Sequence, residues 1–170
     1  MPKTVVWVTN MGKIANAELL RREHLQMWTF TDNAARVIAG VIDCALARGL
    51  HGTVPHIVLL WSLLAGERKL GVVVLEACGM NLDETRLRVS QQIDSVTTLE
   101  GDDFDFAAIV ALAQDARELS GALKCSYVGT EHLVLALCRS PDALVRDAFG
   151  AANITYDLYL RTVKDILDHA

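Results

Sequence analysis

The feature that most constrains the fold of this chain is a short motif that occurs twice. The second copy covers residues 127–135 and reads YVGTEHLVL, and a degraded first copy covers residues 52–60 and reads GTVPHIVLL. His56 and His132 occupy matching positions, 76 residues apart (132 − 56). Each copy has a turn followed by apolar residues, which predicts the capped start of a buried helix. A motif repeated in this way indicates two similar structural units.

Helical patterns recur in the same order around both copies. Glycines, prolines and capping residues separate runs of apolar residues at helical spacing. In the first half the pattern predicts helices from Thr31 or Asp32 to Gly49, and over 55–64, 69–78 and 81–93. In the second half it predicts helices over 107–119 and 131–139, one from the Ser140–Pro141–Asp142 run to Gly150, and one from Thr155 through Leu167.

The sequence therefore predicts an all-α fold. Each half is small and apolar, so we expect the two pseudo-symmetric four-helix units to pack as one domain. The predicted organisation has an N-terminal extension over 1–28, a first repeat over 29–94, an acidic linker over 95–105 and a second repeat over 106–170. Within the extension, the patterns indicate a strand-like arm at Thr4–Val8 and a helix over Lys13–Met27.

Composition excludes several classes of function. The chain is 52% hydrophobic, so it can bury a sizeable core, and its net charge of −5 without a basic stripe argues against nucleic-acid binding. Its longest apolar run, residues 57–65, is too short to span a membrane. The four cysteines have no CxxC spacing, which favours a reduced, cytoplasmic protein without disulfides. No GxxxxGK[ST] phosphate loop is present, so the chain encodes no ATPase of that type.

The second copy of the motif, with the apolar helix, short charged connector and glycine-ended helix that follow, resembles the Clp N-terminal repeat. Domains with two such repeats precede the ATPase modules of Clp/Hsp100 unfoldases. The resemblance extends from Ala107 to Leu167 and, more weakly, from Phe30 to about Ile93. It implies an eight-helix, non-catalytic domain without cofactors that binds the protein or peptide substrates and adaptors of a Clp unfoldase.

Two other interpretations remain at this stage. In the first, the chain is a stand-alone decoy or regulator that competes with a Clp unfoldase for partners or cyclic peptides. The extra segment beginning at Met1 favours a stand-alone protein slightly over a fragment of an ATPase. In the second, distant interpretation, the chain is a small hydrolase that uses Cys125 and His132. The sequence predicts no nucleic-acid or membrane partner, and it leaves the oligomeric state open.

Thr130 and Glu131 are the predicted ligand-binding residues. The resemblance implies that the glutamate of this motif helps to bind phosphorylated arginine. A carboxylate pairs with guanidinium, while helix N–H groups and a threonine hydroxyl can receive a phosphate. The simpler alternative is that Glu131 only stabilises the helix start. The first copy carries Val54 and Pro55 at the matching positions, so any such site is expected on one side only.

The two matched histidines suggest structural rather than metal-binding roles. No HxxxH or His/Cys cluster accompanies either one, so the sequence predicts that His56 and His132 are buried or half-buried and hydrogen-bonded to backbone. We expect partners to bind at the seam between the repeats, together with an exposed helix start at Thr130.

Overall fold

The computed structural model describes residues 30–50, 52–96 and 104–169. The predicted arm at Thr4–Val8, the predicted helix over Lys13–Met27 and most of the acidic linker lie outside these ranges. The prediction of an all-α fold is confirmed. The described residues form eight helices and two short strands: α1 Asp32–Arg48, β1 Gly52–Thr53, α2 His56–Leu64, α3 Leu70–Ala77, α4 Leu82–Asp94, β2 Phe104–Asp105, α5 Ala107–Ala122, α6 Thr130–Cys138, α7 Ala143–Ala151 and α8 Tyr156–Asp168.

Local capping residues define several helix starts as the sequence predicted. The side chains of Thr31, Asn81 and Thr155 each accept a backbone N–H of the first turn at 3.2 Å. Such caps satisfy donors that the helix itself leaves unpaired. At the other end of α1, Gly49 adopts a left-handed φ of 60°, which suits glycine because it has no Cβ.

Four predicted boundaries need correction. Helix α5 continues past Gly121 to Ala122, because the glycine lies in an open position where nothing forces a break. Asp142, rather than Ser140, caps α7 through the Leu144 N–H at 2.9 Å. Pro55 is the N-cap of α2, so this helix begins one residue later than predicted, at His56. Gly129, rather than Thr130, is the N-cap of α6, so that helix begins one residue earlier than predicted, at Thr130.

Short parallel pairings connect the two repeats. Strand β1 pairs with β2, with Gly52 opposite Phe104, and Phe30 forms an isolated parallel bridge with Val128. In both places the segment before the first helix of one repeat lies beside the segment before the second helix of the other. This pairing was not predictable from the sequence, since two-residue strands have no recognisable alternation. The repeats are therefore interlocked.

Helices α2 and α6 form the centre of the core. In α6 every residue from Thr130 to Leu137 is buried, and in α2 only His56 and Trp61 are not. Helices that are apolar on all sides are expected inside a domain, with amphipathic helices around them. The duplicated motif thus places one central helix in each repeat. No helix among the described residues is both long and apolar enough to cross a membrane.

A close approach between α3 and α6 joins the repeats at Gly71. The Gly71 N–H donates to Thr130 Oγ1 at 2.9 Å, and a Cβ built on Gly71 would lie 2.7 Å from the Thr130 carbonyl oxygen. From the other side, the fully buried Tyr159 donates its hydroxyl to the Gly71 carbonyl at 3.1 Å. Gly71 therefore sets how closely the first repeat packs against the second.

Candidate functional site

The predicted site at the start of α6 is buried. Thr130 and Glu131 are each 2% exposed, and His132 is completely buried. The expectation of an exposed helix start at Thr130 is wrong, because α3 packs on it through Gly71. The Thr130 hydroxyl already accepts the Gly71 N–H, so it is engaged in the contact between repeats.

His132 is a neutral, structural histidine. Its Nδ1 accepts the Gly129 N–H at 3.0 Å, which leaves the ring proton on Nε2. Burial lowers the pKa of His132 from 6.5 to about 4. Tyr127 packs edge-on against the ring, with 5.9 Å between ring centroids. The prediction of a buried histidine hydrogen-bonded to backbone is confirmed.

Glu131 is a buried acid without a full set of partners. Its carboxyl folds back over Gly129, where any Cβ would collide with both carboxyl oxygens. Oε1 lies 3.3 Å from His132 Nδ1 but has no hydrogen-bond partner within the described structure. Burial raises the pKa of Glu131 above its ordinary 4.5. A side chain at position 129 would therefore displace the Glu131 carboxyl from its buried position.

The equivalent helix start in the first repeat is built differently. Asp142, from the second repeat, accepts the Ile57 N–H at the start of α2 through Oδ2 at 3.0 Å, while Oδ1 caps α7. The chain's own carboxylate therefore occupies the position near this helix start that an external anion would need. The start of α2 thus combines Pro55 with an internal cap, and the expectation that a ligand site occurs on one side only stays a prediction.

His56, at the start of α2, forms hydrogen bonds with two other segments of the chain. Its Nε2 lies 2.9 Å from the Ala108 carbonyl and its Nδ1 lies 2.6 Å from Ser140 Oγ. Because a carbonyl can only accept, Nε2 carries the proton and the Ser140 hydroxyl donates to Nδ1. The prediction that His56 is half-buried and bonded to backbone is confirmed.

Replacing Asp142 by alanine is expected to lower the free energy of unfolding by about 2 kcal/mol. Two helix starts lose their acceptor, and each lost cap costs roughly 0.5–2 kcal/mol. Urea denaturation measures the change. The exposed Asp147 on the same helix α7 is the matched control, and Asp147→Ala is expected to stay within about 0.5 kcal/mol of wild type. Equal effects of the two substitutions would show that Asp142 does not bridge the helices.

The Cys125–His132 arrangement does not form a nucleophile and base. The Cys125 thiol donates to the Leu123 carbonyl at 3.8 Å, and burial raises its pKa. His132 is enclosed and already uses Nδ1 for the Gly129 N–H. In the described ranges all four cysteines are free, and no group of three or more His, Cys, Asp and Glu side chains could hold a metal ion.

The contributions of the buried acid and the buried histidine to stability depend on pH in opposite directions. His132 binds its proton in the unfolded chain below pH 6.5 but in the folded chain only near pH 4, so its contribution is lost as pH falls between these values. Glu131 has a raised folded pKa, so its contribution is full below 4.5 and is lost as pH rises through the folded value.

Substituting Glu131 by glutamine is therefore expected to change how stability depends on pH. Between pH 5 and pH 8, wild type should lose stability relative to Glu131→Gln, since only wild type must bury a carboxylate at the higher pH. Urea denaturation of both proteins across this range gives the difference, in which titrating groups that do not interact with Glu131 cancel. Parallel stability curves would show that Glu131 titrates as it does in the unfolded chain.

Comparison with known proteins gives the class of the second half of the chain. The family model of the Clp repeat (R) N-terminal domain matches residues 107–170. No curated protein matches the chain. Residues 107–170 are therefore a Clp repeat, and the earlier resemblance is confirmed for the second half of the chain.

Solved structures extend this result to the fold of both halves. The N-terminal domain of the ClpV1 ATPase from E. coli EAEC superposes with a TM-score of 0.65 at 18% identity, over 89% of this chain and 90% of that one. The Hsp104 N-terminal domain from Candida albicans superposes with a TM-score of 0.65 at 18% identity, over 79% of this chain and 88% of that one. A third structure, whose description names a peptide from the EAEC T6SS Sci1 SciI protein, superposes with a TM-score of 0.65 at 20% sequence identity. The superposition covers 90% of this chain and 93% of that one. The chain has the fold of a Clp/Hsp100 N-terminal domain.

Proposed function

We propose that this chain is a non-catalytic domain that binds substrates or adaptors of a Clp/Hsp100 unfoldase. The observation that carries the proposal is the second repeat, which matches the Clp repeat family and keeps the polar start of α6. The similar structure described as a SciI peptide supports peptide binding by this fold. The two-repeat division, with an extension over 1–28 and a linker over 95–105, and the cytoplasmic location are parts of the same proposal.

A pull-down from the native cell tests the function. The tagged chain, with and without residues 1–28, is incubated with lysate, and bound proteins are identified by mass spectrometry. Enrichment of a Clp unfoldase's substrates or adaptors supports the proposal, whereas a partner set without any of them contradicts it. Adding the purified chain to a Clp degradation reaction separates the competing interpretation, because a decoy is expected to inhibit turnover of the substrate.

Glu131 is the residue that we propose contacts the ligand, with Thr130 as its neighbour. A buried carboxyl with a free oxygen lowers stability at neutral pH, and groups retained at such a cost often belong to functional sites. A guanidinium group would supply the missing donors to Oε1. The Thr130 hydroxyl accepts the Gly71 N–H and keeps its own O–H to donate to a phosphate. Because Thr130 is 2% exposed, a phosphate can reach this hydroxyl only if the contact between the repeats opens.

Calorimetry with free phosphoarginine tests this ligand assignment. Wild type is expected to bind, and Glu131→Ala is expected to lose binding. The matched control is Glu118→Ala, which removes an exposed glutamate from helix α5 and should leave binding unchanged. Equal binding by wild type and Glu131→Ala, or no binding by either, removes the site but leaves the broader function standing.

A further inference from the structure

A cavity of about 420 Å³ lies between the end of α2 and the middle of α4, within the first repeat. We call it the Trp61 pocket, and its lining residues are Trp61, Leu64, Ala65, Gly66, Arg86, Val89 and Ser90. Its volume is within the range of roughly 300–1,000 Å³ that is usual for ligand pockets. Leu64 and Val89 are buried, but the other five residues are partly exposed or exposed. A ligand can therefore reach most of the lining.

An aromatic side chain forms the α2 side of the pocket. Trp61 is only partly buried, and the Arg48 guanidinium lies over its ring, 5.8 Å from the ring centroid. Such a cation–π contact is attractive. Arg48 also forms an ion pair with Asp94, at the end of α4. These contacts hold the indole in place, and an apolar side chain in the pocket would cover its exposed part and leave water itself.

A positive charge stands on the α4 side. Arg86 is the one charged residue among the lining residues that the structure describes. Its Nε–H donates to the Leu64 carbonyl at 2.9 Å, and its Nη1 pairs with Asp83 at 3.1 Å. A guanidinium has five N–H donors, so three remain after these two bonds. The Asp83 side chain is 96% exposed, and such a surface ion pair contributes little. Arg86 is therefore anchored and still able to bind a carboxylate.

The nearby end of α2 does not oppose an anion at this position. The C-terminus of a helix carries partial negative charge on its unpaired carbonyls. Here Lys69 Nζ donates to the carbonyls of Leu63 and Ala65 at 3.3 and 2.6 Å, and Arg86 donates to that of Leu64. The two cations offset the negative end of the helix, so the charge that the pocket presents is that of Arg86.

The second repeat has leucine at both matching positions. Trp61 and Leu137 each lie five residues after the matched histidine of the motif. Arg86 and Leu160 each lie five residues after the N-caps of α4 and α8. Leu137 is buried and Leu160 packs against the core. The fold thus accommodates leucine at these positions, and packing alone does not explain the aromatic and cationic pair of the first repeat.

We propose that the Trp61 pocket binds the C-terminal residue of a partner polypeptide, with an apolar side chain against Trp61 and the terminal carboxylate on Arg86. A chain end with an apolar last residue presents these two groups side by side, and capture of terminal carboxylates is a recurring mode of peptide recognition. That the occupant is a polypeptide rests on the proposed function, whereas the chemistry of the pocket does not. The site is distinct from Glu131, since it lies between α2 and α4 rather than at the start of α6.

Nuclear magnetic resonance of the full chain with the peptide N-acetyl-alanyl-alanyl-leucine tests the proposal. Saturable shift changes are expected at the Trp61 indole N–H and at the methyl groups of Ala65 and Val89. The same peptide with a C-terminal amide should bind about tenfold more weakly, because it forms no charge-assisted hydrogen bonds with Arg86. This comparison uses the wild-type chain and therefore does not depend on the folding of any variant.

Two variants install the leucines of the second repeat and separate the two parts of the site. Arg86→Leu should bind the acid and the amide equally weakly, since the guanidinium provides the discrimination. Trp61→Leu should weaken both peptides alike and keep the preference for the acid. Arg88→Leu is the matched control, because the Arg88 side chain is 44% exposed against 42% for Arg86, is also paired with an acid, and lies outside the pocket. It should bind both peptides as wild type does.

The proposal is overturned if shifts are absent or lie elsewhere, or if wild type binds the acid and the amide equally. A preference for the acid that persists in a folded Arg86→Leu protein, or that Arg88→Leu also removes, would overturn it as well. Peptide binding at the pocket without any Clp partner in the pull-down would refute the proposed function alone. Clp partners in the pull-down without peptide binding at the pocket would refute the pocket alone.

Discussion

Replacing Gly71 by alanine is expected to lower the free energy of unfolding by about 2 kcal/mol, the order of cost of overpacking a core. The added Cβ would lie 2.7 Å from the carbonyl oxygen and 2.9 Å from the carbonyl carbon of Thr130. Both neighbouring atoms belong to the backbone of α6, so no side chain can move aside. Helices α3 and α6 must separate, which weakens the Gly71–Thr130 hydrogen bond as well.

Urea denaturation of Gly71→Ala and Gly150→Ala measures this effect against a matched control. Gly150 lies inside helix α7 with nothing within 4 Å of a built Cβ. The same substitution there should therefore stabilise the protein by up to about 1 kcal/mol, since alanine favours helices over glycine. If the two substitutions shift stability in the same direction, the close packing of α3 on α6 is incorrect.

Truncating Tyr159 to alanine is expected to have the larger effect, a loss of about 4 kcal/mol, as for other buried aromatic side chains. Tyr159 is completely buried, and its removal leaves a cavity and abolishes the hydrogen bond to the Gly71 carbonyl. Against a typical total stability of about 5–15 kcal/mol, this loss leaves the folded state marginal.

Chemical denaturation of Tyr159→Phe separates the contribution of the ring to stability from that of the hydroxyl. The phenylalanine variant should lose only about 1 kcal/mol, the usual net value of one hydrogen bond. Tyr156→Ala on the same helix is the control for position, because Tyr156 is only partly buried and should cost much less. A Tyr159→Ala protein as stable as Tyr156→Ala would mean that Tyr159 does not join the two repeats.

The sequence was sufficient for the features that depend on local interactions. The caps at Thr31, Asn81 and Thr155 are separated from their partners by three residues, so the pattern of residues reveals them directly. The duplicated motif was sufficient to predict the two central helices and the fold. The buried or half-buried positions of both histidines followed from the absence of ligand partners.

Features that depend on contacts between repeats were not predicted. Asp142 caps α2 from 85 residues away, and Gly71 approaches Thr130 from 59 residues away. The expected exposure of Thr130 failed for this reason, since nothing near the motif indicates that α3 covers it. One signal was present: a glycine inside the valine-rich helix α3 suggests a close approach to another backbone, because glycine otherwise weakens a helix.

The difference between the two motif copies was visible in the sequence, but its structural form was not. Val54 and Pro55 indicated the loss of a polar site. The structure adds that Asp142 supplies the missing acceptor in the first repeat, whereas Glu131 in the second keeps an unpaired carboxyl oxygen.

Binding of a purified Clp partner tests the central claim most directly. A substrate or adaptor of the Clp unfoldase from the same cell is labelled with a fluorophore and titrated with the full chain while anisotropy is recorded. If the chain is a Clp-type binding domain, anisotropy rises to saturation and an excess of unlabelled partner reverses it. A flat titration with both substrates and adaptors, from a chain shown to be folded by its cooperative urea denaturation, would contradict the proposed function.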